Sequence, residues 1–380
     1  MFSMSIEKIS PFQLFCLMYL FELGSAIVVG LGLQAKQDAW LAILLGMGGG
    51  LCLYQIYSYL YLQFPDQPLT GYIIKILGKF IGTPIAFIYC LYFLYIAARV
   101  LRDFGDLLIT SALDETPLYI INSLMILLII YGLSRGIEVI GRTSESVFFI
   151  MIFLGFIGIM FTNFSGIVEV VNLAPFFESG WKTLSSTVFK QTYTFPFGEM
   201  IVFTMVLPHL NKNKYGRKIG IYALLASGFT LSITIALEIA VLGPKGVSIS
   251  QFPLLDTIGR VNIGNFIQRL DIIVVATLII GVFVKITIFF YAGYLGLASI
   301  FHLTKKKQKA ACLLLLGILI LIYSIKMSSN FAEHLIVGLK WVPIYLHLPL
   351  QTGVPLILFL ITWVRKSLMK NKKEIHEVES

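Results

Sequence analysis

The chain has 380 residues, of which 57% are hydrophobic and 13% are charged, and its mean hydropathy is +0.86. This composition excludes a soluble globular domain and indicates a membrane protein with several spans. The formal net charge of +9 could indicate nucleic-acid binding in a soluble protein. In a membrane protein, basic loops on one side of the bilayer explain the same excess, so no nucleic-acid partner is expected.

A helix needs about 20 predominantly apolar residues to cross a bilayer. Ten apolar runs approach or exceed that length, at 11–33, 40–61, 81–112, 118–133, 146–164, 188–207, 215–242, 266–301, 310–325 and 344–364. The third and eighth runs exceed one crossing, which predicts tilt or extra turns outside the membrane. The sequence therefore predicts an all-α polytopic membrane protein. Residues 1–365 are expected to form one transmembrane domain, and 366–380 a charged cytoplasmic tail.

The distribution of basic residues predicts the orientation of the spans. With a cytoplasmic N-terminus, the inner segments contain 18 lysines and arginines, whereas the outer segments contain six. Lysine and arginine accumulate on the cytoplasmic side of membrane proteins. Ten spans with both termini in the cytoplasm are therefore expected.

Two spans contain residues that a lipid-embedded helix would not tolerate. The sixth contains Pro196, Gly198 and Glu199, and the first contains Glu22 and Gly24. Proline removes a backbone donor, glycine weakens the helix, and a carboxylate near the bilayer centre must face a cavity or a partner. Such a break is tolerated only inside protein or beside a cavity, so the two broken helices are expected to line a binding site for a small molecule.

The two interruptions lie in corresponding positions of two halves, at about 9–164 and 188–364. They are five spans apart, and because five is an odd number the two halves would be inverted relative to each other. Paired interruptions in matching helices are the strongest sequence pointer to a transporter-type site. The long segment 243–268, which contains several prolines and glycines, is expected to place a short outer helix over this site as a lid.

Short motifs spread along the whole chain carry a family resemblance. They are Ile9-Ser10-Pro11-Phe12-Gln13-Leu14, Gly24-Ser25, Gln37-Asp38-Ala39-Trp40, Leu77-Gly78-Lys79, Leu101-Arg102-Asp103-Phe104, Thr116-Pro117, Gly136-Ile137-Glu138-Val139-Ile140-Gly141-Arg142, Phe197-Gly198-Glu199 and Leu207-Pro208. In this order and spacing they resemble the endospore germination permeases, the B subunits of spore germinant receptors. That family belongs to the amino acid–polyamine–organocation superfamily.

The resemblance implies a leucine-transporter-like fold of 5+5 inverted repeats with the first and sixth spans broken. It also implies an integral protein of the spore inner membrane that binds a germinant and works with an A subunit and a lipoprotein C subunit. The family pattern does not require a carboxylate at Glu22. A role for Glu22 therefore follows only from the physical argument about buried carboxylates.

The break in the first span is predicted to expose unpaired backbone amides at Gly24, Ser25 and Ala26. Together with the positive end of a helix dipole, these amides suit a substrate carboxylate. The alternative is a small-residue face that packs against another helix. The matching break in the other half favours the binding site.

In the sixth span, Phe195, Phe197 and Gly198 are predicted to form the apolar wall and the unwound turn of the site. The alternative is a proline kink with lipid-facing aromatic side chains. The carboxylate of Glu199 beside the break favours the binding site. Tyr95 of the third span is predicted to border the same site.

Three ionisable residues lie deep in the apolar runs. Glu199 and Glu22 could take up a substrate ammonium, bind a cation or carry a proton, or they could only hydrogen-bond unwound backbone. Lys285 in the eighth span is the expected counter-charge. Its ammonium could stand where other members of the superfamily hold a sodium ion between the first and eighth spans. The alternative is a lysine that extends to the membrane interface.

Four charged residues lie on the third span. Arg102 and Asp106 are four residues apart, so they share a helix face and are expected to form an ion pair. Arg99 and Asp103 lie on the same span, and structural pairing is favoured over a gate at the mouth of the cavity. Glu238 in the seventh span is interpreted as the structural partner of a buried base.

The sequence contains no catalytic, metal-binding or cofactor motif, since its five histidines lack zinc-ligand spacing and neither His-Glu-x-x-His nor Gly-x-Ser-x-Gly occurs. An enzyme is therefore not expected. One remaining function is a receptor subunit in the lipid membrane that senses a small germinant, most simply an amino acid. The other is a proton-coupled amino acid transporter, and the fold alone does not choose between them.

Overall fold

A computed structural model describes residues 8–263 and 270–378, with side chains up to residue 369. The described α-helices are α1 (Pro11–Leu23), α2 (Ala39–Gln63), α3 (Leu69–Ser111), α4 (Leu118–Ser134), α5 (Ile137–Phe164), α6 (Gly180–Thr187), α7 (Gly216–Ile249), α8 (Pro253–Gly259), α9 (Asp271–Ile300), α10 (Lys306–Lys326), α11 (Phe331–Ile336) and α12 (Val354–Val378). Short 3-10 segments lie at Leu33–Asp38, Val170–Leu173, Phe197–Met205, Leu207–His209 and Asn213–Tyr215. Segments of π-helix lie at Val188–Thr192, Val337–Trp341 and Pro343–Gly353.

The membrane-crossing elements agree with the ten predicted spans. Seven described helical segments are long and apolar enough to cross a bilayer, and α1 and α4 are shorter apolar helices. The sixth span is the segment 180–210, which is divided among several helical pieces. The predicted start of the eighth span at 266 lies outside the described residues, and α9 begins at Asp271. The all-α membrane fold with interrupted first and sixth spans is confirmed.

The first span begins with a capping box and is interrupted at a glycine. The Ser10 hydroxyl accepts a hydrogen bond from the Gln13 amide, the Gln13 side chain accepts one from the Ser10 amide, and Pro11 occupies the first turn. The helix ends because Gly24 has φ +24° and ψ −125°, a conformation that side chains with a Cβ rarely adopt. Residues 24–32 then run as turns and irregular backbone.

The sixth span is interrupted over more residues. Its first half continues from α6 as a π-helical turn to Thr192, turns follow at 193–196, and a 3-10 helix covers Phe197–Met205. The Gln191 carbonyl accepts a hydrogen bond from the Phe195 amide at 2.9 Å. The backbone of the turn is therefore partly satisfied inside the protein, as a break at membrane depth requires.

The two longest helices each consist of two pieces joined at a glycine. Gly78 in α3 has φ +79° and ψ 169°, and Gly243 in α7 has φ +72° and ψ 161°. Residues 69–77 therefore form a separate helical piece that precedes the third span. The predicted end of the seventh span at 242 falls one residue before the second kink.

Aromatic side chains join the broken spans to α9. Phe21 packs against Phe203 and Phe289 with centroid distances of 5.1 and 5.0 Å, and all three are fully buried. The backbones also approach closely, because a Cβ on Gly281 would lie 3.0 Å from Gly24 Cα. As a result, α9 supports the break in the first span directly.

Two short helices, α8 and α11, cover the breaks on one side of the molecule, called here the lid face. Phe252, just before α8, stacks on Phe331 of α11 with 4.8 Å between ring centroids. Pro253 lies against the first span, because a Cβ on Gly30 would be 3.3 Å from Pro253 Cγ. The short helix predicted within 243–268 is thus present as α8, and the last five residues of that segment lie outside the described part of the chain.

Candidate functional site

A buried ion pair lies where the two interrupted spans meet α9. Lys285 Nζ is 2.6 Å from Glu199 Oε2, and neither side chain is more than 1% exposed. The separation lies within hydrogen-bond range, and neither atom has another hydrogen-bond partner among the described residues. The rings of Phe21 and Phe195 lie on the ammonium, with centroids 4.9 and 4.7 Å from Nζ. These contacts add cation–π attraction to the ion pair.

Lys285 also lies against the break in the first span. A Cβ on Gly24 would be 2.4 Å from Lys285 Cδ, so only glycine leaves room for the lysine stem. Glu22, two residues earlier, is fully buried, and its carboxylate oxygens have no hydrogen-bond partner in the described part of the chain. The site therefore holds two carboxylates and one ammonium away from solvent, where an unpaired charge is costly.

A cavity of about 40 Å³ lies beside the ion pair and is lined by residues of the first, third, sixth and tenth spans. The lining residues are Ser25, Val29, Ile96, Arg99, Val100, Asp103, Phe195, Glu199, Leu335, Gly338, Leu339, Val342 and His347. Space of this size holds about three water molecules. The structure therefore shows the cavity in a closed arrangement.

Groups of opposite charge line different walls of this cavity. Arg99 lies on the wall formed by α3, and Glu199 lies on the wall formed by the sixth span. Within the described residues, the amide of Ser25 has no hydrogen-bond acceptor, and the buried Ser25 hydroxyl has no partner. The cavity thus offers donors to a carboxylate and an acceptor to an ammonium.

Arg99 and Asp103 close the cavity towards the lid face. An Nη of Arg99 donates to the His334 carbonyl at 2.7 Å, and Asp103 Oδ1 lies 2.8 Å from His334 Nε2. A Cβ on Gly338 would lie 2.2 Å from the same Arg99 nitrogen, so the guanidinium lies directly on the backbone of the π-helical segment Val337–Trp341. This placement at the cavity mouth corresponds to the gate that the sequence left as the alternative.

A buried hydrogen-bond network supports the sixth-span break. The Gln351 amide nitrogen donates to the Tyr92 hydroxyl at 2.8 Å, and His347 Nδ1 lies 2.7 Å from that hydroxyl and 3.0 Å from the same nitrogen. A Cβ on Gly198 would be 2.2 Å from Gln351 Oε1. His347 Nε2 is 4.0 Å from Glu199 Oε1. The network therefore fixes both the unwound turn and the wall that carries Glu199.

The predicted substrate-binding residues divide into two groups. Ser25, Phe195 and Glu199 line the cavity. Gly24 lies instead against the stem of Lys285. Lys285, the cation surrogate predicted from the sequence, therefore lies between Gly24 of the first span and Glu199 of the sixth span.

The remaining predicted residues lie around this centre. Ala26 borders a separate small cavity that also contains Glu238. Phe197 is fully buried and packs against α2. Tyr95 is 3.4 Å from a guanidinium nitrogen of Arg99, so it approaches the cavity through that side chain. In the closed arrangement, Ala26, Phe197 and Tyr95 are outside the set of lining residues.

Two sequence interpretations concern buried ion pairs elsewhere. The pair between Arg102 and Asp106 is confirmed, with Nε and Oδ2 2.5 Å apart. An Nη of Arg102 also donates to the carbonyls of Ile325 and Ser328 at 3.1 and 3.4 Å, which ties α3 to the connection after α10. The interpretation of Glu238 as the partner of a buried base is wrong, since no base pairs with it among the described residues and its burial alone is evident.

Sequence reasoning missed three buried polar residues in the last part of the chain. His334 lies in α11, whereas His347 and Gln351 lie in the tenth span, and isolated histidines have no ligand spacing to reveal them. The useful signal is the pair His347 and Gln351, which are four residues apart around Pro349. Two buried polar side chains beside a proline in a span resemble the interruptions of the first and sixth spans.

The arrangement places Ser25, Arg99 and Glu199 on the wall of one small cavity, and the fixed cation of Lys285 lies beside Glu199 outside that lining. Among the described residues, no three His, Cys, Asp or Glu side chains come together as metal ligands would. The cation beside Glu199 is instead the ammonium of Lys285. These groups are suited to binding a small charged ligand and to holding a proton.

The chain was compared with known proteins by sequence. A family model described as spore germination protein matches residues 8–332. Spore germination protein KB of Bacillus subtilis (strain 168) is 40% identical over 372 residues, which cover 98% of this chain and 99% of that protein. The match therefore extends through both broken spans and the lid.

The fold is similar to two solved transporter structures. MhsT in complex with L-phenylalanine superposes with a TM-score of 0.67 at 13% identity, covering 93% of this chain and 88% of that chain. Mhp1, a nucleobase-cation-symport-1 family transporter in a closed conformation with bromovinylhydantoin bound, gives 0.61 at 12% identity, covering 85% and 73%. These similarities confirm the leucine-transporter-like fold of 5+5 inverted repeats. The family model and the 40% identical relative show that the chain belongs to the spore germination protein family.

Proposed function

We propose that the chain is the germinant-sensing B subunit of a spore germinant receptor and that it binds a small amino acid in the cavity between the broken spans. The observation that carries the proposal is the closed cavity with Arg99 on one wall and Glu199 on another. Opposite charges facing one small space match a zwitterion better than a neutral sugar or nucleoside. Family membership supports a role in germination.

The proposed binding mode places each ligand charge opposite a complementary group. The ligand ammonium pairs with Glu199, and the ligand carboxylate binds the amides of Ser25 and Ala26 and the guanidinium of Arg99. The ring of Phe195 covers an apolar side chain. The small closed volume favours a compact amino acid over a large one.

Ligand binding would act on the lid through Arg99. In the closed arrangement Arg99 donates to the His334 carbonyl of α11. A ligand carboxylate competes for the same guanidinium, so binding changes the contact between α3 and α11. We propose that this change is the signal received by the A and C subunits.

We further propose that the protein resides in the spore inner membrane with both termini in the cytoplasm. The proposal is supported by the excess of basic residues in alternate loops. The lid face would then be the outer face. Residues 1–365 form the transmembrane domain in this proposal, and 366–380 belong to a cytoplasmic tail into which the helical backbone of α12 continues as far as Val378.

A proton-coupled amino acid permease is the second candidate function. It is favoured by the similarity of the fold to transporters, one of which is described as a cation symporter. In either function, the ammonium of Lys285 would act as a fixed surrogate for a bound cation beside Glu199. A fixed cation removes the need for sodium but leaves proton coupling open.

Binding and flux measurements on the purified protein in lipid distinguish the two functions. Calorimetric titration in nanodiscs with small L-amino acids tests binding, and uptake of the labelled ligand into liposomes tests transport. Saturable binding without accumulation supports the receptor, and accumulation driven by a pH gradient supports the permease. The variant Glu199→Gln should lose binding, while the control Gly48→Ala, whose Cβ would meet nothing within 4 Å, should retain it. Absence of binding to the wild type for every amino acid would contradict both functions.

A further inference from the structure

Glu22 is a buried carboxylate that makes no contact with the ligand in the proposed binding mode. It lies in the last turn of α1, two residues before the break, and is fully buried. Neither of its oxygens has a hydrogen-bond donor among the described residues. Burial removes the water that would hydrate an ionised carboxylate, and here no hydrogen-bond donor takes the place of that water.

The charges around Glu22 come from each helix that packs on α1. The ion pair of Lys285 on α9 and Glu199 on the sixth span lies beside this turn, because the stem of Lys285 lies against Gly24. On the α7 side, Glu238 borders a separate cavity, and on the α5 side, Glu145 bonds to Gln13 at the beginning of α1. The local set is therefore two carboxylates and one ammonium.

Charge balance in this set decides the state of Glu22. Lys285 is 2.6 Å from Glu199, so its charge is already compensated. If Glu22 were also ionised, the closed site would carry one uncompensated negative charge away from water, which is strongly unfavourable. A neutral carboxylic acid at Glu22 removes that charge.

Lys285 is placed to exchange partners. Its stem lies against Gly24, and its ammonium lies 4.9 Å from the ring centre of Phe21, so the side chain contacts residues on both sides of Glu22 in the sequence. Among the described residues, Glu199 is the only acceptor within reach of its three N–H donors. A long flexible side chain held in this way can move between two acceptors.

We propose that Glu22 is a proton-binding site, loaded in the closed arrangement, which releases its proton when a ligand ammonium takes Glu199 and Lys285 turns to Glu22. The exchange rests on the proposed function, because it requires a ligand with an ammonium group. The O–H bond of Glu22 breaks, the proton passes to cavity water and then to bulk solvent, and the ammonium of Lys285 compensates the new carboxylate. The charges of Lys285, Glu199, Glu22 and the ligand ammonium then sum to zero, as in the empty site.

The first test measures the protons released on binding. Titration calorimetry of the whole protein in nanodiscs, using alanine in buffers of different ionisation enthalpy, should give about one proton released per ligand. Affinity should rise about tenfold per pH unit while Glu22 is protonated in the free protein and ionised in the complex. Glu22→Gln should bind more weakly, because no new carboxylate forms to compensate Lys285 when the ligand ammonium takes Glu199, and its remaining binding should show no proton release and no slope with pH. Glu238→Gln, which removes a buried carboxylate elsewhere, should behave as the wild type. Release that persists in Glu22→Gln and disappears in His347→Gln would overturn the proposal.

The second test needs no ligand and separates this proposal from the proposed function. Infrared difference spectra of wild type against Glu22→Gln should show loss of one carboxylic-acid carbonyl band, distinct from any band lost in Glu238→Gln. If the band is lost but no amino acid binds, Glu22 holds its proton and the proposed ligand is wrong. If Glu22→Gln leaves the carboxylic-acid bands unchanged, Glu22 is ionised and the proton site is excluded.

Discussion

Lys285–Glu199 and Arg102–Asp106 are both ion pairs inside membrane-spanning elements, with charged atoms 2.6 and 2.5 Å apart. The second pair is saturated, because Arg102 also contacts backbone carbonyls within 324–328 at 3.1 to 3.5 Å. In the first pair, the ammonium has aromatic rings on its flanks and no acceptor other than Glu199 among the described residues. Similar charges at similar distances are therefore held in two different ways.

The difference indicates two different uses of buried charge. A saturated pair can leave its geometry only by losing several hydrogen bonds, so it fixes α3 to the end of α10. An unsaturated ammonium beside a cavity breaks fewer hydrogen bonds when it moves towards a ligand or a second carboxylate. The unsaturated pair also lies at both helix breaks, whereas the saturated pair lies within the helical piece of α3 that follows Gly78.

Removal of Lys285 should have the largest effect. Lys285→Met leaves Glu199 buried without a cation, and loss of one partner of a buried pair costs about 3–5 kcal/mol. We expect a large fall in the melting temperature of the detergent-solubilised protein and loss of amino acid binding.

The double variant Lys285→Met/Glu199→Gln separates stability from function. Removing both charges avoids the uncompensated carboxylate, so most of the lost stability should return. Binding should remain absent, because the acceptor for the ligand ammonium is gone. A double variant that binds as tightly as the wild type would mean that the ion pair is only structural.

Arg102→Met should destabilise the protein without changing the site. Hydrogen bonds to charged groups contribute about 1.5–3 kcal/mol, and this substitution removes several around one guanidinium. Thermal unfolding should show the loss, while the amino acid affinity of the folded fraction should stay within about twofold, a free-energy change of about 0.4 kcal/mol. A selective loss of affinity at full stability would place Arg102 in the site and end the contrast between the two pairs.

Gly198→Ala should weaken ligand binding through the network beneath Glu199. The new Cβ would lie 2.2 Å from Gln351 Oε1, so the network must shift, and such overpacking costs about 1–3 kcal/mol. We expect a lower melting temperature together with reduced affinity. Gly48→Ala is the matched control on α2, with open space around its Cβ. Equal effects of the two substitutions would indicate a general intolerance of helix glycines to alanine.

Much of the fold was predictable because membrane crossing constrains composition strongly. Apolar runs gave the spans, and proline, glycine and a carboxylate within one run gave the break at Glu199. The pair Arg102 and Asp106 followed from their spacing on one helix face. In each case, the signal is local in sequence, so no knowledge of the packing was needed.

The rest of the site depends on contacts between distant segments. The Arg99 contact with His334 and the support of Gly198 by Gln351 join spans that are far apart in the chain. For Glu238, the sequence predicted a contact that is not found. Its burial led to the expectation of a basic partner, and no described residue provides one. Pairwise partners of this kind are decided by packing geometry, which periodicity and composition do not contain.

Arg142→Gln should have the smallest effect. It tests whether burial and additional hydrogen bonds, rather than sequence spacing, determine the contribution of an ion pair to stability. Arg142 and Glu138 repeat the four-residue spacing and the 2.5 Å contact of Arg102–Asp106, but their side chains are 70% and 41% exposed. Solvent screening reduces such a pair to about 1 kcal/mol or less, and glutamine preserves helix propensity. Thermal unfolding and amino acid affinity should therefore remain close to those of the wild type. A loss as large as that of Arg102→Met would show that spacing, rather than burial and saturation, sets the strength of these ion pairs.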